Sequence, residues 1–493
     1  MSNNKDLMID IDERVPKSAK VAFGFANAGV GLLSGIINGG LSAFYNIKLG
    51  LEPGKIATAM LIFAIWNALN DPIFGILEDR TNTRIGRRIP YLRYGAPVFG
   101  VMFMLSWFPF LQYIFNASAN IEQWALFANF LIVLFLLDTM FTLVGLVTYS
   151  LPSEMAITAK GRAKVQVYGV YLGAIGTLGS LLIPTFFITT STSVVTLYVV
   201  MGITSIVGAL LLFVSSFFLV ENEYAMREEK LSFWKSIITC FSYKTFWLYE
   251  FSNFFYQIAW VIISGLISVY IRYELELSGI MSFIPIVIIF LMVLTFTYPA
   301  SLIIKKWGVK KTYLIAAGVS IPILVVMYFV SSINILAMIV LGLFGVMVAA
   351  MTLSNSPMFF EIIDKDELEN GTRRETSFSG MNALFTKPAI SIANAIFFAI
   401  IGAFGYITPT EAIPDPVQPT SAISAITFAT TIIPAIALGV SIIFIAFFDL
   451  VGPEWEAQKA KLAEIHIQKE RAYIQKLAEE GKISETYKKL YKS

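Results

Sequence analysis

The 493-residue sequence predicts an all-α membrane protein with twelve transmembrane helices in two six-helix bundles. Hydrophobic residues make up 56% of the chain and charged residues 14%, whereas soluble domains carry about 25% charged residues. Twelve apolar stretches each reach the roughly 20 residues that a helix needs to cross a bilayer. The basic residues cluster in alternate connections between these stretches, a distribution typical of a multi-pass protein.

The twelve spans follow one another along the chain. Those of the first bundle are predicted at residues 21–46, 56–78, 95–115, 123–150, 166–190 and 194–220. Those of the second bundle are predicted at residues 246–272, 280–303, 312–332, 334–362, 377–406 and 425–450. The nearly continuous apolar stretch from 320 to 362 is divided at Ser331-Ser332-Ile333-Asn334.

The two halves resemble each other, which indicates two parallel repeats of six helices. Gly86-Arg87-Arg88 follows the second span, and Gly308-Val309-Lys310-Lys311 follows the eighth. The chain therefore divides into five segments, which are a cytoplasmic N-terminal segment (1–20), the first bundle (21–220), a cytoplasmic linker (221–245), the second bundle (246–450) and a charged helical tail (451–493).

Orientation follows from the basic residues of the connections. Thirty-two of the 36 lysines and arginines fall on the side of the two termini, and only Lys48, Lys55 and Arg272 fall on the other side. Because cytoplasmic loops carry the excess of positive charge, both termini are expected in the cytoplasm of a multi-pass protein of the cell membrane. The polar first twenty residues predict no cleavable signal peptide.

Several classes of function are disfavoured by the composition. One cysteine and one histidine predict neither an internal disulfide nor a Cys/His metal cluster. No Gly-x-x-x-x-Gly-Lys-Ser/Thr motif is present, so an ATP-driven pump is not expected. The basic residues lie between apolar spans and predict no nucleic-acid partner. We therefore expect neither an enzyme nor a bound cofactor, and the lipid bilayer is the expected surrounding.

Residues 66–93 contain the most informative stretch of the sequence. The second span carries Asn67, Asn70 and Asp71 into the membrane and is followed by a basic turn. An ionisable residue at membrane depth is costly and by default indicates an ion or substrate path. Pro72 removes one hydrogen bond of the helix ladder and leaves a carbonyl free beside Asp71.

The motif Asn67-Ala-Leu-Asn70-Asp71-Pro72, followed by Gly75, Asp79-Arg80 and Gly86-Arg87-Arg88, resembles the second-helix signature of the glycoside–pentoside–hexuronide:cation symporter family. That family belongs to the major facilitator superfamily, and the resemblance extends over residues 20–450. It implies the major facilitator fold and symport of a small polar solute with Na⁺ or H⁺ as the co-transported monovalent cation.

In melibiose-type members, two carboxylates of the second helix and a hydroxyl of the fourth helix form the cation site. The matching positions here are Asn67, Asp71 and Thr142, with Asn70 between the first two. One carboxylate is thus an amide, which weakens the implied Na⁺ site. Asp138 lies at the same expected depth as Asn67 and is predicted to replace the missing acid. The alternative is that Asp138 only hydrogen-bonds a neighbouring backbone or hydroxyl group.

The resemblance also implies a central cavity and a cytoplasmic gate. Lys387 matches the lysine of the eleventh helix and is expected to face the cavity, where it pairs with Asp71 or Asp138 when no cation is bound. The remaining candidates for the substrate cavity are Tyr149, Asn27, Tyr168, Asn253 and Gln257. The candidates for the cytoplasmic gate are Asp79, Arg80, Arg84, Arg87, Arg88, Glu154, Asp364, Arg373 and Arg374.

The sugar-binding part of the family pattern is missing. Its acidic and basic positions read Gly31, Gly145 and Val170, and the first and fifth spans carry no charged residue. This leaves two alternatives to a glycoside symporter, which are a symporter of lysolipids or other amphipathic solutes and a non-transporting membrane sensor. Glu250 and Glu361, two further acids within spans, are interpreted as snorkelling or gate residues.

Overall fold

The computed structural model describes residues 15–37, 40–81, 83–111, 119–155, 159–188, 192–220, 240–277, 279–371, 375–409, 416–462 and 464. The predicted linker, apart from its last residues, and most of the predicted tail lie outside these ranges. The described start of the tail is a helix over residues 453–462.

Helices make up almost all of the described chain. The first half contains α1 (Lys17–Ile37), α2 (Gly40–Ile47), α3 (Pro53–Arg80), α4 (Ile89–Ser106), α5 (Ala119–Met155), α6 (Ala159–Phe187) and α7 (Val194–Ser215). The second half contains α8 (Lys244–Gly265), α9 (Ile267–Tyr273), a 3₁₀ turn (Gly279–Ser282), α10 (Phe283–Trp307), α11 (Val309–Val330), α12 (Asn334–Asn370), α13 (Glu375–Ala403) and α14 (Thr420–Ala446).

These helices confirm the predicted fold class. Eleven helical segments of the described chain are long and apolar enough to cross a membrane, with α1 and α2 counted as one segment and α8 and α9 as another. The 18-residue helix α4 packs against α5 and α7 and completes the first set of six spans. Most of the helix–helix contacts fall within each set of six, so the architecture is that of two six-helix bundles.

Local sequence explains where several helices begin and end. Proline occupies the first turn of α3 and of α4, where its missing N–H would have no helical partner in any case. Gly308 adopts a φ of 79° between α10 and α11, and Gly371 adopts a φ of 75° at the end of α12. Both conformations favour glycine and stop the preceding helix.

Several predicted spans differ from the observed helices in where they begin or end. The third span begins at Ile89 instead of residue 95 and ends at Ser106 instead of residue 115. The tenth continues to Asn370, eight residues beyond its predicted end.

Arg93 was predicted in the basic connection before the third span but lies within α4. Its Nη2 donates to the carbonyl oxygen of Ser216 at 2.8 Å, and its guanidinium lies 4.3 Å from the ring centroid of Phe217. A long side chain whose charged end has such partners is tolerated at the end of an apolar helix. The charge therefore does not mark the helix boundary.

The two bundles meet along two pairs of helices. The longer interface joins α3 of the first bundle to α13 of the second, and the shorter one joins α6 to α10. The rings of Phe186 and Phe283 stack across the shorter interface with centroids 5.0 Å apart. A side chain at Gly402 of α13 would lie 3.1 Å from Cβ of Pro53 at the start of α3. The bundles are thus in close contact on the side opposite the termini.

Candidate functional site

The polar side chains of α3 are buried at its interface with α5 and α13. Asn67, Asn70 and Asp71 are all buried, and their spacing of three and four residues places them on one helix face. The helix is continuous through Pro72, so these three residues share one rigid element. The α3 sequence therefore presents one carboxylate and two amides to the neighbouring helices.

Two residues of α5 complete the polar surface. Asp138 and Thr142 lie one turn apart and are both buried. Thr142 Oγ1 donates to Asp71 Oδ1 at 3.0 Å, and Asn70 Nδ2 donates to Asp138 Oδ2. Each carboxylate is thus hydrogen-bonded to a side chain of the other helix, and the four side chains form one cluster within the first bundle.

Lys387 of α13 reaches this cluster from the second bundle. Its Nζ forms an ion pair with Asp71 Oδ1 and donates to Thr142 Oγ1 at 2.7 Å and to Asn70 Oδ1 at 3.1 Å. The distance from Nζ to Asp138 Oδ1 is 3.8 Å. The ammonium group is therefore surrounded by oxygens from α3 and α5, and it links the two bundles at the centre of their interface.

The cluster contains two carboxylates and one ammonium group, so it carries one net negative charge when all three are ionised. Uncompensated charge is costly to bury, and one monovalent cation or one proton would restore neutrality. The oxygens that surround Nζ come from a carboxylate, an amide and a hydroxyl, which are ligand types that suit a hard cation. The site is chemically suited to bind one cation in competition with Lys387.

Asn67 lies beside this cluster but differs from its predicted pairing. Its Nδ2 donates to the carbonyl oxygen of Lys387 at 3.0 Å and to Ser391 Oγ at 3.3 Å. Its Oδ1 has no hydrogen-bond partner among the described residues. The amide bonded to Asp138 is that of Asn70. The sequence does not indicate this pairing, because it depends on how α3 and α5 cross.

The predicted gate residues are only partly described. The side chains of Asp79, Arg80, Glu154, Arg373 and Arg374 lie outside the described part of the chain. Arg84 is exposed, whereas Arg87 and Asp364 are half-buried. Arg88 is buried, and its Nη1 lies 3.2 Å from Oε2 of Glu78. Glu78 was not among the predicted site residues, although it directly precedes the Asp79-Arg80 pair. Arg88 therefore has a partner within its own bundle.

The predicted cavity residues of the second bundle belong to a chain of amides. Asn253 of α8 is buried, and its Nδ2 donates to Asn382 Oδ1 of α13 at 2.9 Å. Its Oδ1 accepts a hydrogen bond of 2.8 Å from Asn355 of α12. Asn382 was not predicted, although it lies five residues before Lys387 on the same helix. Gln257, one turn after Asn253, is half-buried.

The predicted cavity residues of the first bundle lie on three helices. Asn27 of α1 is half-buried and donates to the carbonyl oxygen of Phe23 in its own helix at 2.9 Å. Tyr168 of α6 is half-buried, with Nζ of Lys20 5.9 Å from its ring centroid. Tyr149 of α5 is 62% exposed. None of the described hydrogen bonds joins Asn27, Tyr168 or Tyr149 to the Lys387 cluster.

Two basic residues from opposite bundles, Lys48 and Arg272, act on each other on the side away from the termini. Lys48, just after α2, donates to the carbonyl oxygen of Thr192 at 2.5 Å. Burial, and then the positive charge of Arg272 in α9, lower the pKa of Lys48 to about 8. Two basic groups from different bundles therefore repel each other on this side, and separation of the bundles would relieve the repulsion.

Two six-helix bundles that meet at a buried cluster of charges define a secondary transporter. The chain matches the family of MFS/sugar transport proteins over residues 22–451 and belongs to that family. Its members are transporters and not enzymes, as the sequence predicts.

Several relatives carry the names of symporters or sugar transporters. The isoprimeverose transporter of Lactiplantibacillus pentosus is 22% identical over 89% of this chain and 90% of its own length. The uncharacterized symporter YjmB of Bacillus subtilis (strain 168) is 23% identical over 92% of this chain and 97% of its own length. A protein of Escherichia coli (strain K12) whose name proposes a glycoside/cation symporter, YagG, is 29% identical, but the match spans only 33% of its length.

Solved structures of other transporters share the fold. The D-xylose–proton symporter superposes with a TM-score of 0.62 at 14% identity, over 87% of this chain and 97% of that one. The nucleoside transporter NupG superposes with a TM-score of 0.56 at 12% identity, over 87% of this chain and 99% of that one. At these identities the similarity establishes the fold and no substrate.

Proposed function

We propose that the protein is a symporter that couples the uptake of a glycoside or similar small polar solute to the movement of Na⁺ or H⁺. In this proposal it lies in the cell membrane with both termini in the cytoplasm. The observation that carries the proposal is the position of Lys387, whose ammonium group comes from one bundle and is bound by oxygens of the other. A cation that takes its place changes the contact between the bundles.

The charges of the cluster suggest how the ion is coupled to transport. Asp71 binds Lys387 when the site holds no ion, and Asp138 lies beside the same ammonium group. When a cation binds Asp71, Asn70 and Thr142, Lys387 loses these ligands, and the α3–α13 contact that it stabilises is weakened. Opening of the bundles then depends on the bound ion, which is the requirement for coupled transport. A ligand shifts such an equilibrium only by its difference in affinity between the two states.

The relatives support a sugar-like solute, since one is named an isoprimeverose transporter and another is proposed by name to carry glycosides. Amide and phenol groups can bind sugar hydroxyls, and such groups are available at Asn27, Tyr149 and Gln257. The amide chain at Asn253 extends this polar surface into the second bundle.

An amphipathic solute remains a second candidate because of one helix face. Val170 of α6 stands where melibiose-type members carry a sugar-binding arginine, and it is 66% exposed. Val167, Tyr171 and Ile175 of the same helix are also exposed. An apolar surface at this position is better suited to a lysolipid or another solute with an acyl chain than to a sugar.

The test is uptake by purified protein in proteoliposomes under an imposed Na⁺ or H⁺ gradient. A panel of glycosides and lysolipids is first screened for thermal stabilisation of the protein, and the stabilising compounds are then offered as radiolabelled solutes. We expect accumulation of a glycoside against its gradient and its loss in Lys387→Ala. Glu52→Gln, which changes an exposed acid of a surface pair with Lys55, is the matched control. Accumulation that persists without either ion gradient would contradict the proposal.

A further inference from the structure

Glu250 is a buried acid that the proposed cation site does not use. It lies in the second turn of α8 and is 0% exposed. Neither of its carboxyl oxygens has a hydrogen-bond partner among the described residues. None of the described ion pairs includes it. A carboxyl group with this combination of burial and missing partners requires an explanation.

The neighbouring turns of α8 locate Glu250 against the other helices of its bundle. One turn earlier, the ring of Phe246 lies 5.7 Å from that of Phe378 and 6.3 Å from that of Phe385, both on α13. One turn later, Asn253 is bonded to amides of α13 and α12. Glu250 therefore lies between aromatic rings on one side and the amide chain on the other.

The charged groups of the surrounding helices do not neutralise Glu250. Helix α14 contains no charged residue. Lys387 of α13 is bound to the cation site of the other bundle. At the end of α12, Glu361 is paired with Lys459 of the tail helix at 3.1 Å. Arg272 of α9 lies over the ring of Tyr273, 5.2 Å from its centroid.

The other ionisable groups of α8 and the nearby tyrosines also supply no counter-charge to Glu250. Lys244 is the first residue of α8 and is exposed. Tyr249 beside Glu250 is a buried phenol, Tyr256 shares a hydrogen bond of 2.8 Å with Thr352, and Tyr313 on α11 is buried. Because these phenols are not cations, Glu250 has no positive partner among the described residues.

We propose that Glu250 is a proton-binding site of the second bundle, separate from the cluster around Lys387. An ionised carboxylate without a partner would cost several kcal/mol in such an interior, whereas a protonated carboxyl group carries no charge. The proton is released to water in a conformation of the transport cycle in which the carboxylate becomes hydrated. The protein then binds a proton in one conformation and loses it in another, in addition to the ion of the proposed coupling site.

The test is infrared spectroscopy of the purified full-length protein in lipid nanodiscs. At pH of about 8, exposed glutamates with a pKa near 4.3 are ionised, so a carbonyl stretching band of protonated carboxylic acid reports a buried proton. We expect such a band in the wild-type protein, its shift in D₂O and its loss in Glu250→Gln. Glu52→Gln, at an exposed position, should leave it unchanged.

Two further variants keep the proposal falsifiable if Glu250→Gln does not fold. The band should survive in Asp71→Asn and in Asp138→Asn. Its survival would show that the protonated group lies outside the cation site. Loss of the band in Asp138→Asn, or absence of any such band in the wild-type protein, would overturn the proposal. The coupling site is tested independently by the loss of Na⁺-dependent or pH-dependent uptake in Asp71→Asn. Failure of one proposal therefore does not decide the other.

Discussion

At the residue scale, the central feature is an ammonium group that occupies a site suited to an inorganic cation. Nζ of Lys387 is surrounded by oxygens of Asp71, Asn70 and Thr142. A Na⁺ ion would need the same oxygens, and two cations cannot share them at contact distance. In the proposed mechanism the lysine is therefore an internal competitor, which stabilises the empty site and is displaced when the ion binds.

Thr142 provides a test of this geometry that leaves both carboxylates in place. Its hydroxyl donates to Asp71 and accepts from Lys387. Hydrogen bonds to charged groups contribute about 1.5–3 kcal/mol. We expect Thr142→Ala to weaken the binding of the coupling ion by about tenfold or more, as measured by the ion concentration that half-maximally stimulates uptake or thermal stability.

Thr139→Ala is the matched control, because the Thr139 hydroxyl donates only to the carbonyl oxygen of Phe135 in its own helix among the described contacts. This variant should keep the affinity of the wild-type protein. Equal effects of the two substitutions would mean that the hydroxyl of Thr142 is not a ligand of the ion.

At the element scale, the first bundle depends on close contact between α1 and α6. A Cβ atom added at Gly176 would lie 2.1 Å from the carbonyl oxygen of Ala28. A side chain there would force the two backbones apart. Small residues let transmembrane helices approach closely, and this packing supplies much of their association energy. Gly176 is therefore required by packing.

Gly176→Ala should accordingly destabilise the protein by about 1–3 kcal/mol, the usual cost of overpacking a core. Gly202→Ala on α7 is the control, because no atom lies within 4 Å of the added Cβ and alanine favours a helix over glycine by up to about 1 kcal/mol. Thermal unfolding in detergent measures both. A melting temperature of Gly176→Ala at or above that of Gly202→Ala would contradict this packing.

The helices themselves were largely predictable from the sequence, whereas side-chain pairing was not. Long apolar stretches predict spans because the bilayer requires them, so all twelve were found. Their ends were harder to predict because helices such as α5 and α12 continue beyond the apolar stretch, where hydropathy no longer marks them. The sequence indicated that Asp71, Asp138, Thr142 and Lys387 belong together. It did not indicate that Asn70 is the amide bonded to Asp138, because that depends on how α3 and α5 cross.

At the scale of the whole molecule, the two bundles touch on the side opposite the termini. The stack of Phe186 on Phe283 and the approach of Pro53 to Gly402 both join different bundles there. Lys48 and Arg272 add a repulsion on the same side. Alternating access requires these contacts to separate in another conformation of the cycle.

A cross-link between residues 186 and 283 should therefore stop transport. Phe186→Cys and Phe283→Cys are introduced together after Cys240, the only native cysteine, is replaced by serine. We expect a short bifunctional thiol reagent to abolish solute uptake. A pair at Phe108 and Tyr198, whose rings are 5.8 Å apart within the first bundle, is the control and should retain uptake. Full uptake by the cross-linked 186–283 pair would show that this contact does not open.

The most direct test of the coupling mechanism is the thermal stability of the purified protein as a function of Na⁺ concentration and pH, without added solute. An ion that binds only the folded protein stabilises it by about 2.7 kcal/mol at one hundred times its dissociation constant. We predict that the melting temperature rises with Na⁺ at constant ionic strength or, if H⁺ is the coupling ion, as the pH is lowered. Asp71→Asn should remove the Na⁺ dependence or, for H⁺, the pH dependence that remains in Glu250→Gln, whereas Glu52→Gln should respond as the wild type does. A wild-type protein that responds to neither ion, or an Asp71→Asn variant that responds as the wild type does, would contradict the mechanism.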